Sequence, residues 1–160
     1  MGYEREKPPA TATARAGAAF VWAIETAMRA GEICALQWDD MEIERRFARV
    51  RRGKTEAAKR DVPLSSEALR IAGQLAGVRA GPMVFQLRAA SLDALFRKGK
   101  KRAGLADADL HFHDSRHEGI SRLAAVLGVL GLARSVGHRD LRMLQMYYNE
   151  SAEDIAKKLK

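Results

Sequence analysis

His113-Asp114-Ser115-Arg116-His117-Glu118-Gly119-Ile120 is the stretch from which the rest of the chain can be organised. Downstream of it Ile120, Leu123, Ala124 and Leu127 recur at helical spacing, and Gly128 closes the pattern, so a helix is expected from Asp114 to Leu127. Counting back from Ile120 by four and then three residues reaches Arg116 and His113, which extends the apolar stripe onto two polar residues and predicts that both face inward. A permanent cation at a helix N-terminus is opposed by the helix dipole and by desolvation unless an anion belongs beside it. Two anions are open: a bound phosphate held by the guanidinium fork, or an internal carboxylate, Glu32 or Asp114.

The same pentapeptide carries a second reading. Histidines at positions i and i+4, His113 and His117, with an acid after the first, approximate the H-E-x-x-H pattern of zinc hydrolases. Arg116 would then put a fixed cation within one turn of the metal, and Asp stands where the pattern has Glu.

Working outward, Gly137-His138 supplies another histidine and Tyr147 lies nine residues beyond it, next to Tyr148. Upstream, Met28-Arg29-Ala30-Gly31-Glu32 supplies an arginine and a carboxylate, and Lys54 a candidate acid. Arginine, lysine, histidine-x-x-arginine, histidine and tyrosine are the residue types that metal-free displacement at phosphorus requires. Fixed guanidinium groups match the charge that accumulates on nonbridging oxygens. A tyrosine hydroxyl, with an ordinary pKa near 10, attacks only if a neighbour takes its proton or cations lower its pKa; His113 or His138 could accept it. A lysine can give up a proton to the leaving oxygen, which an arginine cannot. Adjacent residues on a helix point about 100° apart, so Tyr147 and Tyr148 cannot both serve.

Charge points the same way. The 160 residues hold 28 Lys and Arg against 20 Asp and Glu, a formal charge of +8, and the basic residues come in runs. One holds Arg45, Arg46, Arg49, Arg51, Arg52, Lys54, Lys59 and Arg60; the other is Arg97-Lys98-Gly99-Lys100-Lys101-Arg102. Such runs attract a polyanion and release counterions on binding, so nucleic acid is the expected partner. Arg51, Arg52, Lys59, Arg60, Lys98, Lys100, Lys101 and Arg102 are the candidate DNA contacts. No apolar run approaches a membrane span and no signal-peptide pattern opens the chain. The single cysteine, Cys34, precludes an internal disulfide framework. The expected location is cytoplasmic, at the nucleoid.

With 47% hydrophobic residues the chain can bury one core. Residues 1–13 read as an arm or linker and 14–160 as one domain. Ala14 to Met28 predicts a helix, Gly31 a break, and a short second helix through Trp38 follows, which puts Arg29 at a corner. Alternation from Met41 to Leu64 predicts a small antiparallel sheet with Lys54 in or beside a turn. Ser65–Ala76, Ser91–Ala103, Leu130–Val136, Leu141–Tyr148 and Ala152–Leu159 complete a mainly α reading.

Taken together, Met28-Arg29-Ala30-Gly31-Glu32, Lys54 with Arg60-Asp61-Val62-Pro63-Leu64, His113-Asp114-Ser115-Arg116-His117, Gly137-His138 and Tyr147 resemble the catalytic domain of the tyrosine recombinases, the phage integrase family. The likeness runs from about Ala14 to Lys158. It implies the catalytic-core fold of that family, mainly α with a small antiparallel sheet. By this resemblance Arg29 and Arg116 would hold the scissile phosphate, with Glu32 supporting the former. Lys54 would protonate the 5′ oxygen, with Lys59 as a second candidate. His113 and His138 would assist, and Tyr147 would form a 3′-phosphotyrosyl intermediate. It further implies duplex DNA as partner, no metal or other cofactor, a tetramer on DNA with exchange of C-terminal tails, and a monomer or weak oligomer without DNA. The family's N-terminal core-binding domain is expected to be absent from these residues. A degenerate integrase that binds DNA without cleaving it and a zinc-dependent hydrolase on His113 and His117 are the alternatives.

Overall fold

The computed structural model describes residues 2–51, 59–138, 140–148 and 151–159. The calls on Lys54 and Arg52 therefore lie outside the described residues. Helix α1 (Ala12–Thr26) begins where the Thr11 side chain accepts from Ala14 N, and it stops where Ala27 turns left-handed at φ 51°. Its alanines, Ala16, Ala18, Ala19 and Ala23, have no exposed surface, so other elements can approach closely. Trp22 meets Phe85 edge-on at 5.5 Å, while Phe20, Phe96 and Phe112 form a cluster with centroids 5.4–6.0 Å apart.

After the corner comes α2 (Ala30–Ala35), then a 3-10 turn (Trp38–Asp40) and three strands: β1 (Met41–Glu42), β2 (Phe47–Val50) and β3 (Arg60–Pro63). They pair antiparallel in that order, with Met41 opposite Ala48 and Ala48 opposite Val62. Ala48, Val50 and Val62 point into the core by the strand's period of two. Helix α3 (Ser66–Ala76) is capped by Ser65, whose Oγ accepts from Ala68 N. It packs on α1 through Ala68, Ile71, Ala72 and Leu75. Helix α4 (Ala89–Arg102) buries Leu92, Phe96 and Gly99 and leaves its basic run outward.

The C-terminal third consists of α5 (Asp114–Ala124), α6 (Val129–Val136), a 3-10 segment (Leu141–Tyr147) and α7 (Ala152–Lys158). Helix α5 crosses α1 at Gly119, where a Cβ would lie 2.7 Å from Ile24 O and 2.8 Å from Ala23 O. Only glycine permits that crossing. Ala27, Ile120, Leu132, Ala133, Val136 and Leu144 form a second, smaller apolar cluster beside the main core. Among the described residues no helix is long and apolar enough to cross a membrane.

Several expected boundaries move. Gly31 lies inside α2 and the break falls at Ala27 instead. The Leu141–Tyr147 segment is 3-10 rather than α. Residues expected to be a loose arm are held to α3: Tyr3 Oη donates to Gln74 Oε1 at 2.9 Å, Arg5 pairs with Glu67 at 2.9 Å, and Gln74 Nε2 donates to the Arg5 and Lys7 carbonyls.

Candidate active site

The site forms where four helix ends meet. The left-handed turn at Ala27 exposes the last carbonyls of α1, and Gly137, at φ 72°, does the same for α6. Arg116 enters from the first turn of α5 with its side chain almost fully buried. Its Nη1 donates to Ala27 O, and its Nη2 to Val136 O at 3.0 Å. The guanidinium thus satisfies carbonyls at two negative helix ends, and among the described residues no carboxylate pairs with it. The expectation of an ion pair to Glu32 or Asp114 is replaced by this backbone clamp. Burial, then the nearby Arg29, lowers the Arg116 pKa to about 10, so the group is charged at neutral pH.

Glu32 is occupied elsewhere. Its carboxylate accepts from Arg29 N at 2.9 Å and Arg29 Nη1 at 3.0 Å. It also accepts a two-pronged pair from Arg60, each contact 2.9 Å. Burial pushes Glu32 up, but Arg60 and then Arg29 more than offset this and hold it below the usual carboxylate value. Arg60 Nε also donates to Ser135 O at 2.7 Å. This corrects the placement of Arg60 on the DNA face: its side chain is 5% exposed, and it ties β3 to α2 and to the end of α6. Arg29, at the N-cap of α2, keeps 41% of its side chain exposed and is the open member of the arginine set.

The histidines divide. His138 Nε2 lies 3.2 Å from Arg116 Nη2; the arginine can only donate, so Nε2 accepts and Nδ1 carries the proton. Burial, with Arg116, Arg29 and Arg60 adding to it, lowers the His138 pKa. His113 is lowered by burial and then by His117 and Arg116. It is, however, exposed at the N-cap of α5 rather than turned inward, because the helical count does not extend through the cap. The i+4 spacing from His113 points to His117 as a metal ligand. Its ring meets His113 edge-on at 5.0 Å, and its Nδ1 lies 3.2 Å from the Tyr147 hydroxyl. No third donor joins the two histidines in a metal-binding group among the described residues. Tyr148 turns the other way, its Oη donating to Leu127 O at 2.8 Å.

Of the expected DNA contacts, Lys98, Lys101 and Arg102 are exposed on α4, and Lys100 Nζ reaches Ala108 O at 2.8 Å. Arg51 pairs with Asp40 and donates to Asp39 O. Lys59 lines a concavity with Arg134 and His138, which puts this second candidate acid beside the site.

Fixed guanidinium groups, imidazoles biased toward the neutral form and one phenol hydroxyl, gathered on a mainly helical domain, make an anion site suited to displacement at phosphorus. Residues 4–154 match the phage integrase family, and the chain belongs to that family. It is 47% identical over 151 residues to an integrase/recombinase of Haemophilus influenzae, covering 92% of this chain and 40% of that protein. It is 38% identical to the shufflon-specific DNA recombinase of Escherichia coli, covering 88% and 36%. The chain thus spans less than half of each of these relatives. In fold it resembles the Tn1549 transposon integrase solved with transposon right end DNA, with a TM-score of 0.77 at 19% identity, covering 91% of this chain and 58% of that one. A lambda integrase dimer bound to a core site gives a TM-score of 0.68 at 18% identity, covering 84% and 42%.

Proposed function

We propose that residues 14–160 are the catalytic domain of a site-specific tyrosine recombinase that cuts and rejoins duplex DNA through Tyr147. The observation that carries this reading is the convergence of Arg29, Arg116, His138 and Tyr147, contributed by four separate segments. The electrostatic influence of Arg29 and Tyr147 on Arg116, and of both arginines on His138, supports it. Like charges gather in one place when an anion is to be bound there.

In this reading the scissile phosphate sits against Arg29 and Arg116, which stabilise the charge that grows on its nonbridging oxygens. The Tyr147 oxygen attacks phosphorus, a Tyr147–phosphorus bond forms, and the bond to the 5′ oxygen breaks. That oxygen leaves with a proton from Lys54 or Lys59. A free 5′ hydroxyl reverses the step, conserving the phosphodiester energy without ATP or metal. Lys98, Lys101 and Arg102 contribute phosphate contacts along the duplex. The working assembly is a tetramer on DNA that exchanges C-terminal tails, acting at the nucleoid.

The test is a nicked suicide duplex followed by a denaturing gel. The wild-type chain should form a covalent protein–DNA adduct in the presence of EDTA, and Tyr147→Phe should form none. An adduct with Tyr147→Phe would remove the assignment. Absence of an adduct with wild type, alongside salt-sensitive DNA binding, would favour an integrase that binds without cutting.

A further inference from the structure

The Tyr147 hydroxyl needs a proton acceptor, and among the described residues neither of the two histidines that the spacing nominated is hydrogen-bonded to it. His138 Nε2 is 3.2 Å from Arg116 Nη2, a donor. His113 meets His117 through its ring, and among the described residues it makes no hydrogen bond to Tyr147. His117, one turn after His113 on α5, puts Nδ1 3.2 Å from Tyr147 Oη across 30 residues of chain. Its ring is exposed and is not needed to hold the core together.

We infer that His117 is a catalytic residue, the base that takes the Tyr147 proton during cleavage and returns it during rejoining. The inference rests on the recombinase reading above and names a residue for one of its steps. The neutral imidazole, protonated on Nε2, accepts the phenolic proton at Nδ1 as the tyrosine oxygen bonds to phosphorus. The electron pair of the breaking bond goes to the 5′ oxygen, which is protonated by the separate acid. In the reverse step the imidazolium reprotonates Tyr147. Charge is conserved throughout.

Arg116 interacts electrostatically with Tyr147. Arg116, Asp114 and Arg29 act electrostatically on His113, which lies edge-on against the His117 ring. Glu118, the next residue, is engaged with Arg122 at 2.6 Å.

The experiment is single-turnover cleavage of the suicide duplex by the full chain across pH, comparing wild type, His117→Asn and His117→Ala. Asparagine can place an accepting oxygen near the Nδ1 position but cannot take a proton. His117→Asn should lower the cleavage rate about 100-fold and lose the rise in rate on the acid side of the pH profile. Added imidazole should restore part of the rate to His117→Ala. A 5′-bridging phosphorothiolate, whose sulfur leaves without a proton, should not rescue His117→Asn. Wild-type rates in His117→Asn would show that a hydrogen bond suffices and overturn the assignment. Rescue by the phosphorothiolate would make His117 an acid, and faster cleavage by His117→Ala would make it a latch on Tyr147; either overturns the proposal. Failure of wild type itself to form an adduct would instead overturn the recombinase reading and this step with it.

Discussion

Among the described residues two apolar clusters of unequal size form, and the proposed catalytic set sits beside the smaller. The larger is built from α1, the sheet, α3 and α4, with Trp22, Phe85, Ile71 and Leu75 fully buried. The smaller gathers six buried residues from α1, α5, α6 and the 3-10 segment. The boundary passes between Ala27, which belongs to the small cluster, and Met28, which belongs to the large one; Arg29 is the next residue. Apolar area stabilises the large cluster directly. The small one, with little area to bury, is held instead by buried cations bound to helix ends: Arg116 to Ala27 and Val136, Arg60 to Ser135. The guanidinium groups at the proposed site therefore also hold the region together. Regions with so few buried apolar contacts open at lower free energy than the cores they adjoin.

The largest effect should come from breaking that arrangement. Arg116→Ala leaves two buried carbonyls without a donor, at about 1–3 kcal/mol each, so denaturant unfolding should show a loss of about 2–6 kcal/mol together with loss of the adduct. If stability were unchanged, the guanidinium would be only a ligand group and not part of the framework. A smaller effect separates the clusters by a matched pair of substitutions. Gly119→Ala drives a Cβ into the backbone of α1 and should cost about 1–3 kcal/mol. Gly73→Ala, on α3 with open space around it, should stabilise by about 0.5–1 kcal/mol. Thermal melts of the two variants shifting in the same direction would refute the close crossing.

The large cluster was the legible one. Helical patterning located α3 to within a residue, and alternation located the sheet, because those signals are local. The proposed catalytic set is a reading of residue types in order, with roles that the family likeness implies. What could not be read was how the site is held. The Arg60–Glu32 pair joins residues 28 apart and leaves no periodic trace, so Arg60 passed for one more member of a basic strip. Ala27 adopts a left-handed conformation that residues other than glycine rarely take, so the sequence points to a break at Gly31, although Arg29 does lie at the corner between α1 and α2. His113 was turned inward by extending a helical count through a cap residue whose position the helix does not dictate. His117 had a signal, its i+4 spacing from His113, but that spacing points equally to a metal and to a shared face.

Acid should weaken the small region before the large one. Glu32 has a depressed pKa in the fold, so its contribution is present above the usual value of 4.5 and is lost as pH falls through the lower, folded value. His113 and His138 are also depressed. Above the usual 6.5 both folded and unfolded forms are neutral and nothing changes. As pH falls below it, the unfolded chain takes up protons first and stability declines toward the folded values. Both signs agree. Hydrogen exchange from pH 7 to pH 5 should show amides of α5 and α6 losing protection before those of α3. Uniform loss would mean that the two clusters open together.

The smallest effect distinguishes the neighbouring tyrosines. Tyr148 Oη donates to Leu127 O at 2.8 Å, beyond the end of α5, and its ring packs against the small cluster. Tyr148→Phe keeps the ring and removes one partly buried hydrogen bond, so the fold should lose about 0.5–1.5 kcal/mol while adduct formation continues. Tyr147 makes the opposite trade: its hydroxyl meets an exposed histidine, so Tyr147→Phe should leave the melt nearly unchanged and abolish the adduct. The two adjacent hydroxyls would then separate structure from chemistry within one turn of chain. A Tyr148→Phe variant that kept full stability but lost the adduct would reverse that division and move the nucleophile by one residue.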